Sequence, residues 1–262
     1  MSEHKNPFAV ITGATSGFGY HLARMFGEHG FDLMLTSATE RIEGVGKDLE
    51  LLGFRVQCVK VDPASYEGVE KLWRAIQQTG RPIDAIAINA ELEGDFARAT
   101  ELSDELKLVE LSVMSTLHLV KRVLPQMVAR EHGRILFASS IAGVMPATLE
   151  GVYVASHAFV ESLAQSLRRE LKGTGITIVA LEPSDVDLAH GADMEGAGVC
   201  VNCTNDPAEV ARRAYEALMQ ESDHARSSLI PAKPRGKLVK FVPDGLRVDR
   251  HLKLAQRKNR KR

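Results

Sequence analysis

The chain has 262 residues, 44% of them hydrophobic and 26% charged, with a net charge of −1. That is apolar material enough for a full core in one domain of ordinary size. No stretch approaches the roughly 20 apolar residues needed to cross a bilayer, and three cysteines, an odd number, argue against a disulfide framework. The start, Met1-Ser2-Glu3-His4-Lys5, lacks the apolar segment of a secretory leader, so a cytoplasmic location is expected.

In chain order, strand-like apolar runs fall at 8–12, 32–36, 55–61, 85–89, 134–139 and 176–182, with a further candidate at 228–231. Helical patterns fall between them at 17–29, 40–52, 65–79, 101–130, 151–172 and 207–221. Strands alternating with helices mean βαβ units, hence an α/β domain with a parallel sheet and helices on both faces. Right-handed crossovers then bring the loops after each strand to one edge. Gly13, Asp62, Asn89, Ser140 and Pro183 all follow strand ends, so they converge there. This organisation spans 1–232 and is followed by a basic tail, 233–262.

The first of these loops reads Gly13-Ala14-Thr15-Ser16-Gly17-Phe18-Gly19. Glycines between a strand and a helix let backbone N–H groups approach a pyrophosphate, whose charge the helix N-terminus favours. The spacing Gly-x-x-x-Gly-x-Gly also suits a turn that serves packing alone. Further along, Ser140 is followed by Tyr153 and then by His157, one helical turn later. Residues four apart on a helix share a face, so Tyr153 and His157 belong to one cleft. A tyrosine hydroxyl beside a serine hydroxyl is a plausible proton donor to a carbonyl oxygen.

Together, the Gly13–Gly19 loop, the segment from Gly133 to Gly143 with Ser140, and Tyr153-Val154-Ala155-Ser156-His157 resemble the short-chain dehydrogenase/reductase family. The resemblance covers about 7–190 and implies a single Rossmann-type, doubly wound parallel sheet acting as an NAD(P)-dependent oxidoreductase. It implies a dinucleotide held by Gly13, Thr15, Ser16, Gly17, Phe18, Gly19, Asp62, Asn89, Ala90, Tyr153, His157 and Pro183. Tyr153 is the implied general acid/base, and Ser140 holds the carbonyl oxygen of a carbonyl or alcohol substrate. Leu111-Ser112-Val113 stands where the family carries a catalytic asparagine, which makes Ser112 its counterpart. His157 stands where the family carries lysine. A histidine with an ordinary pKa of about 6.5 is mostly neutral at pH 7, so turnover is expected to improve towards pH 6 as it becomes cationic. Glu91 stands where the family usually has glycine. With lysine and asparagine both replaced, the site is degenerate. Two readings follow: an active reductase or dehydrogenase, or an inactive relative serving as ligand sensor or scaffold, with no cofactor.

The second strand ends without an acidic residue for a ribose 2′-OH, which disfavours NAD. Ser37, Thr39 and Arg41 suit a 2′-phosphate, so NADP is favoured. Cys200-Val201-Asn202-Cys203 has the spacing of a zinc half-site with His190 upstream, but no second ligand pair is near, so no metal is expected. In the tail, six lysines and six arginines stand against Asp244 and Asp249. Such asymmetry suits docking on an acidic surface of its own or a partner subunit, lipid headgroups or, less well, nucleic acid. Leu108, Leu111, Val113, Leu117, Leu119, Val123 and Leu124 make one helix apolar over a wide face, and with the 151–172 helix this implies a homodimer or homotetramer.

Overall fold

The computed structural model describes residues 6–90, 101–139, 150–181 and 206–220. Strands β1 (Phe8–Thr12) and β2 (Asp32–Ser37) are buried along their whole length. Strands with no solvent face must be covered on both sides, which is the condition of a parallel sheet between helices. β3 (Val56–Lys60), β4 (Ala85–Ala90), β5 (Gly133–Ser139) and β6 (Ile176–Ala180) complete six parallel strands in the order β3-β2-β1-β4-β5-β6.

Alternation along the strands divides the core into two layers. Ala9, Ile11, Leu33, Leu35, Ala85 and Ala87 pack towards α1 (Gly17–Glu28), α2 (Arg41–Leu51) and α7 (Pro207–Met219). Phe8, Val10, Met34, Ile86 and Ile88 pack towards α3 (Tyr66–Gln78), α5 (Ser115–Arg130) and α6 (Glu150–Glu170). Each large apolar side chain buried in this way contributes about 1.5–3 kcal/mol. In α1 the buried positions Leu22, Ala23 and Phe26 follow helical spacing, and Gly30 ends the turn beyond it at φ +83°. The Phe26 ring meets Tyr215 of α7 edge-on at 5.0 Å, fixing α7 beside α1.

The helix expected over 101–130 is three pieces: α4 (Leu102–Val109), a π-helical turn (Glu110–Met114) and α5. The Ser115 hydroxyl donates back to the Leu111 carbonyl, a bond that competes with the regular ladder. Of the apolar residues read as a free face, Leu108, Leu111, Leu119 and Val123 are spent in the protomer's own core. β3 and β6 are each two residues shorter than expected. The candidate strand at 228–231 and the basic tail lie outside the described residues.

From β1 the chain steps to β2 and β3 on one side, then crosses to β4, β5 and β6 on the other. Connections therefore diverge above β1 and β4, which opens a crevice at the carboxyl ends of the strands. No helix among the described residues is long and apolar enough to cross a membrane.

Candidate dinucleotide site

The β1–α1 loop is built around one carbonyl. Gly13, at φ +60°, presents its oxygen to the Ser16 N–H at 3.3 Å, the Ser16 hydroxyl at 2.9 Å and the Asn89 amide at 3.0 Å. Ser16 caps α1 by accepting from the Gly19 N–H at 2.8 Å. Asn89 Nδ2 also reaches Ser16 Oγ at 3.1 Å, and its own N–H donates to Thr12 Oγ1 at 2.8 Å. Asn89, at the end of β4 and almost fully buried, therefore clamps the glycine loop onto the sheet. Gly19 cannot carry a side chain, because a Cβ there would stand 2.1 Å from the Gly13 oxygen. Gly17 differs: among the described residues its Cβ would meet the Pro207 ring alone, at 3.6 Å. Packing among the described residues does not demand that glycine.

With the Gly19 N–H used by Ser16, the first-turn N–H groups of Gly17 and Phe18 have no acceptor among the described residues. Donors of this kind at a helix N-terminus suit an anion such as a pyrophosphate. The Phe18 side chain is in the core, so only its backbone faces the loop.

The loop borders a cavity of about 480 Å³ lined by Gly13, Ser37, Ala38, Asn89 and Leu111, and by 62–67 of the β3–α3 loop and the start of α3. Ser37 ends β2, and its hydroxyl pairs with that of Thr15 at 2.8 Å. Asp62 holds its own turn: Oδ1 accepts from the Ala64 N–H at 3.0 Å, and its carbonyl accepts from the Ser65 hydroxyl at 3.0 Å. Ser65 caps α3 from Gly68 at 3.0 Å, repeating the Ser16–Gly19 arrangement. That repetition is visible in the sequence as Ser-x-x-Gly after a strand, twice, and was missed there. Also missed were Tyr66, Glu67, Lys107 and Glu110, which line the cavity's outer side. Arg41 begins α2 and does not line this cavity.

On the opposite side, Ser112 is buried within the π-helical turn, with Leu111 beside it at the cavity wall. Tyr153 and His157 lie one turn apart in α6. His157 is half-buried, and burial pushes its pKa down to about 4. The expectation that His157 becomes cationic near pH 6 is therefore corrected: withdrawal from water disfavours the charged ring, and it is neutral throughout the physiological range. Ala90 is the last residue of β4, beside Ser139 of β5. Ser140, Pro183, Glu91, His190, Cys200 and Cys203 lie outside the described residues.

Comparison with known proteins agrees with this architecture. Residues 7–198 match the family model described as short chain dehydrogenase. Oxidoreductase UcpA of Salmonella typhimurium is 32% identical over 181 residues, 68% of each chain. The NADP-dependent 3-hydroxy acid dehydrogenase YdfG of Salmonella typhi is 30% identical over 66% of this chain and 70% of its own. Among solved structures, an actinorhodin polyketide ketoreductase with NADPH superposes with a TM-score of 0.70 at 26% identity, covering 87% of this chain and 95% of that one. The chain belongs to the short-chain dehydrogenase family.

Proposed function

We propose that the protein is an NADP-dependent oxidoreductase acting on a carbonyl or alcohol group of a small molecule. The observation that carries this reading is the pair of N–H groups at Gly17 and Phe18 that find no acceptor among the described residues, at a glycine whose Cβ none of those residues would crowd. The NADPH-bound ketoreductase and the NADP-dependent relative support the same cofactor. In this reading the N–H groups of Gly17 and Phe18 hold the pyrophosphate, and Asp62 faces the adenosine end of the cavity. The paired hydroxyls of Thr15 and Ser37 lie at the ribose end. Bound there, the nicotinamide supplies or accepts the hydride. Tyr153 moves a proton to or from the substrate oxygen, and Ser140 orients that oxygen. His157, neutral, donates or accepts one hydrogen bond in the lysine's place and supplies no charge to lower the tyrosine pKa. The site is therefore weaker as a proton relay than one with a permanent cation.

We further infer a homo-oligomer, a cytoplasmic location, and a basic tail that meets an anionic surface, lipid headgroups ahead of nucleic acid. Leu102, Leu106, Met114 and Val128 are exposed along α4, the π-helical turn and α5, which supports a self-association face there.

The test is NADPH oxidation against a panel of aldehydes and ketones, in the wild type and in Tyr153→Phe. Loss of turnover in Tyr153→Phe with cofactor binding retained is the expected result. Unchanged turnover would remove the proposed proton donor, and a wild type that neither binds NADPH nor turns over would favour the ligand sensor or scaffold.

A further inference from the structure

Resting on the reading of this cleft as an NADP site, we propose that Lys60 is the cation that selects NADP over NAD, with Glu40 holding it in reserve. Lys60 ends β3 directly beside Ser37 of β2 in the parallel register. Residues opposite one another in such a pair project to the same face, and the strands are only about 4.8 Å apart. That face is the one on which Leu33, Leu35, Val56 and Cys58 pack towards α1 and α2. Ser37 and Ala38 line the cavity, and Ser37 is bonded to Thr15 of the glycine loop. Lys60 is thus the neighbour of the strand end where a ribose 2′ substituent lies in a doubly wound dinucleotide site.

The lysine head does not line the cavity. Its Nζ donates to Glu40 Oε1 at 2.5 Å. Glu40 occupies the cap position of α2, yet its carboxylate makes no capping bond to that helix and reaches across to Lys60 instead. Arg41 at the start of α2 adds positive charge to this corner. So does Lys71, whose Nζ donates to the Lys60 carbonyl at 3.0 Å. A 2′-phosphate is a stronger and more highly charged acceptor than one carboxylate. Both members of the pair are exposed, Lys60 at 46% and Glu40 at 79%, so breaking their bond costs little and the lysine is free to swing. A ribose 2′-OH offers it no comparable partner. Glu40 therefore sets how readily Lys60 turns to the phosphate, and it also repels that phosphate directly.

The experiment is a paired titration of NADPH and NADH, by quenching or energy transfer to cofactor fluorescence, on the wild type, Lys60→Met, Lys60→Arg and Glu40→Gln. Lys60→Met keeps the aliphatic stem and should weaken NADPH by about tenfold with NADH unchanged, the loss of one charge-assisted bond. Lys60→Arg should restore most of the preference, and Glu40→Gln should tighten NADPH severalfold without tightening NADH. Equal changes in both cofactors, or none in either, would make the pair a surface tie and overturn the inference while leaving the site intact. A wild type that binds neither cofactor would overturn the inference together with the reading on which it rests.

Discussion

Gly19→Ala is the substitution whose outcome the geometry fixes most tightly. The new Cβ would stand 2.1 Å from the Gly13 oxygen and 2.9 Å from Ser16 Oγ, the first of them backbone that cannot rotate away. A relaxed carbon–oxygen contact needs about 3.3 Å, so the loop must open by more than an ångström. Forced overpacking alone costs about 1–3 kcal/mol. Moving the Gly13 carbonyl also strains its bonds from Ser16 and the Asn89 amide, each worth about 0.5–1.5 kcal/mol net. The sum is about 3 kcal/mol or more, and at ~2–4 °C per kcal/mol for a domain of this size it lowers the melting midpoint by about 6–12 °C. Thermal unfolding followed by circular dichroism without cofactor measures this. Gly17→Ala is the control: among the described residues its Cβ meets Pro207 alone, at 3.6 Å, so the melting midpoint holds. NADPH affinity should nonetheless fall, because the new methyl crowds the phosphate's approach. A Gly19→Ala melt within about 2 °C of the wild type would refute the loop geometry.

Three other outcomes follow from the same contacts. Asn89→Ala removes the amide that ties Gly13 and Ser16 to β4, and urea denaturation should show a loss of about 2 kcal/mol. The His157 pKa is about 4 folded against an ordinary value near 6.5, so its stabilising neutrality is complete above pH 6.5 and is lost as the pH falls towards 4. At about 1.4 kcal/mol per unit the loss approaches roughly 3 kcal/mol, and His157→Gln should flatten that limb of the stability–pH curve. His157→Lys restores a permanent cation one turn from Tyr153 and should raise turnover at pH 7, which steady-state NADPH oxidation would detect.

The strands were legible because β1, β2 and β4 are short, β-branched or aliphatic runs bounded by polar turns, and the sheet needs little else to be recognised. The glycine loop was legible as a turn, but the separate duties of its glycines were not: only the folded structure shows that a Cβ at Gly19 would strike the Gly13 carbonyl while one at Gly17 would stand at an ordinary distance from Pro207. Asn89 was read as a cofactor contact and lines the cavity, but the second duty of its amide, holding the loop, was not legible, since hydrogen bonds between residues seventy-six apart leave no local pattern. The π-helical turn at Ser112 was invisible for a related reason. One extra residue in a long amphipathic helix barely disturbs its apolar spacing. The His157 environment depends on burial, which no neighbouring residue in the sequence reveals.

Equilibrium titration of the purified protein with NADPH and NADH bears most directly on the claim that this cleft binds a dinucleotide. Saturable binding in the micromolar range, tighter for NADPH and weakened in Gly17→Ala, is the predicted result. No binding of either cofactor at millimolar concentration would contradict it.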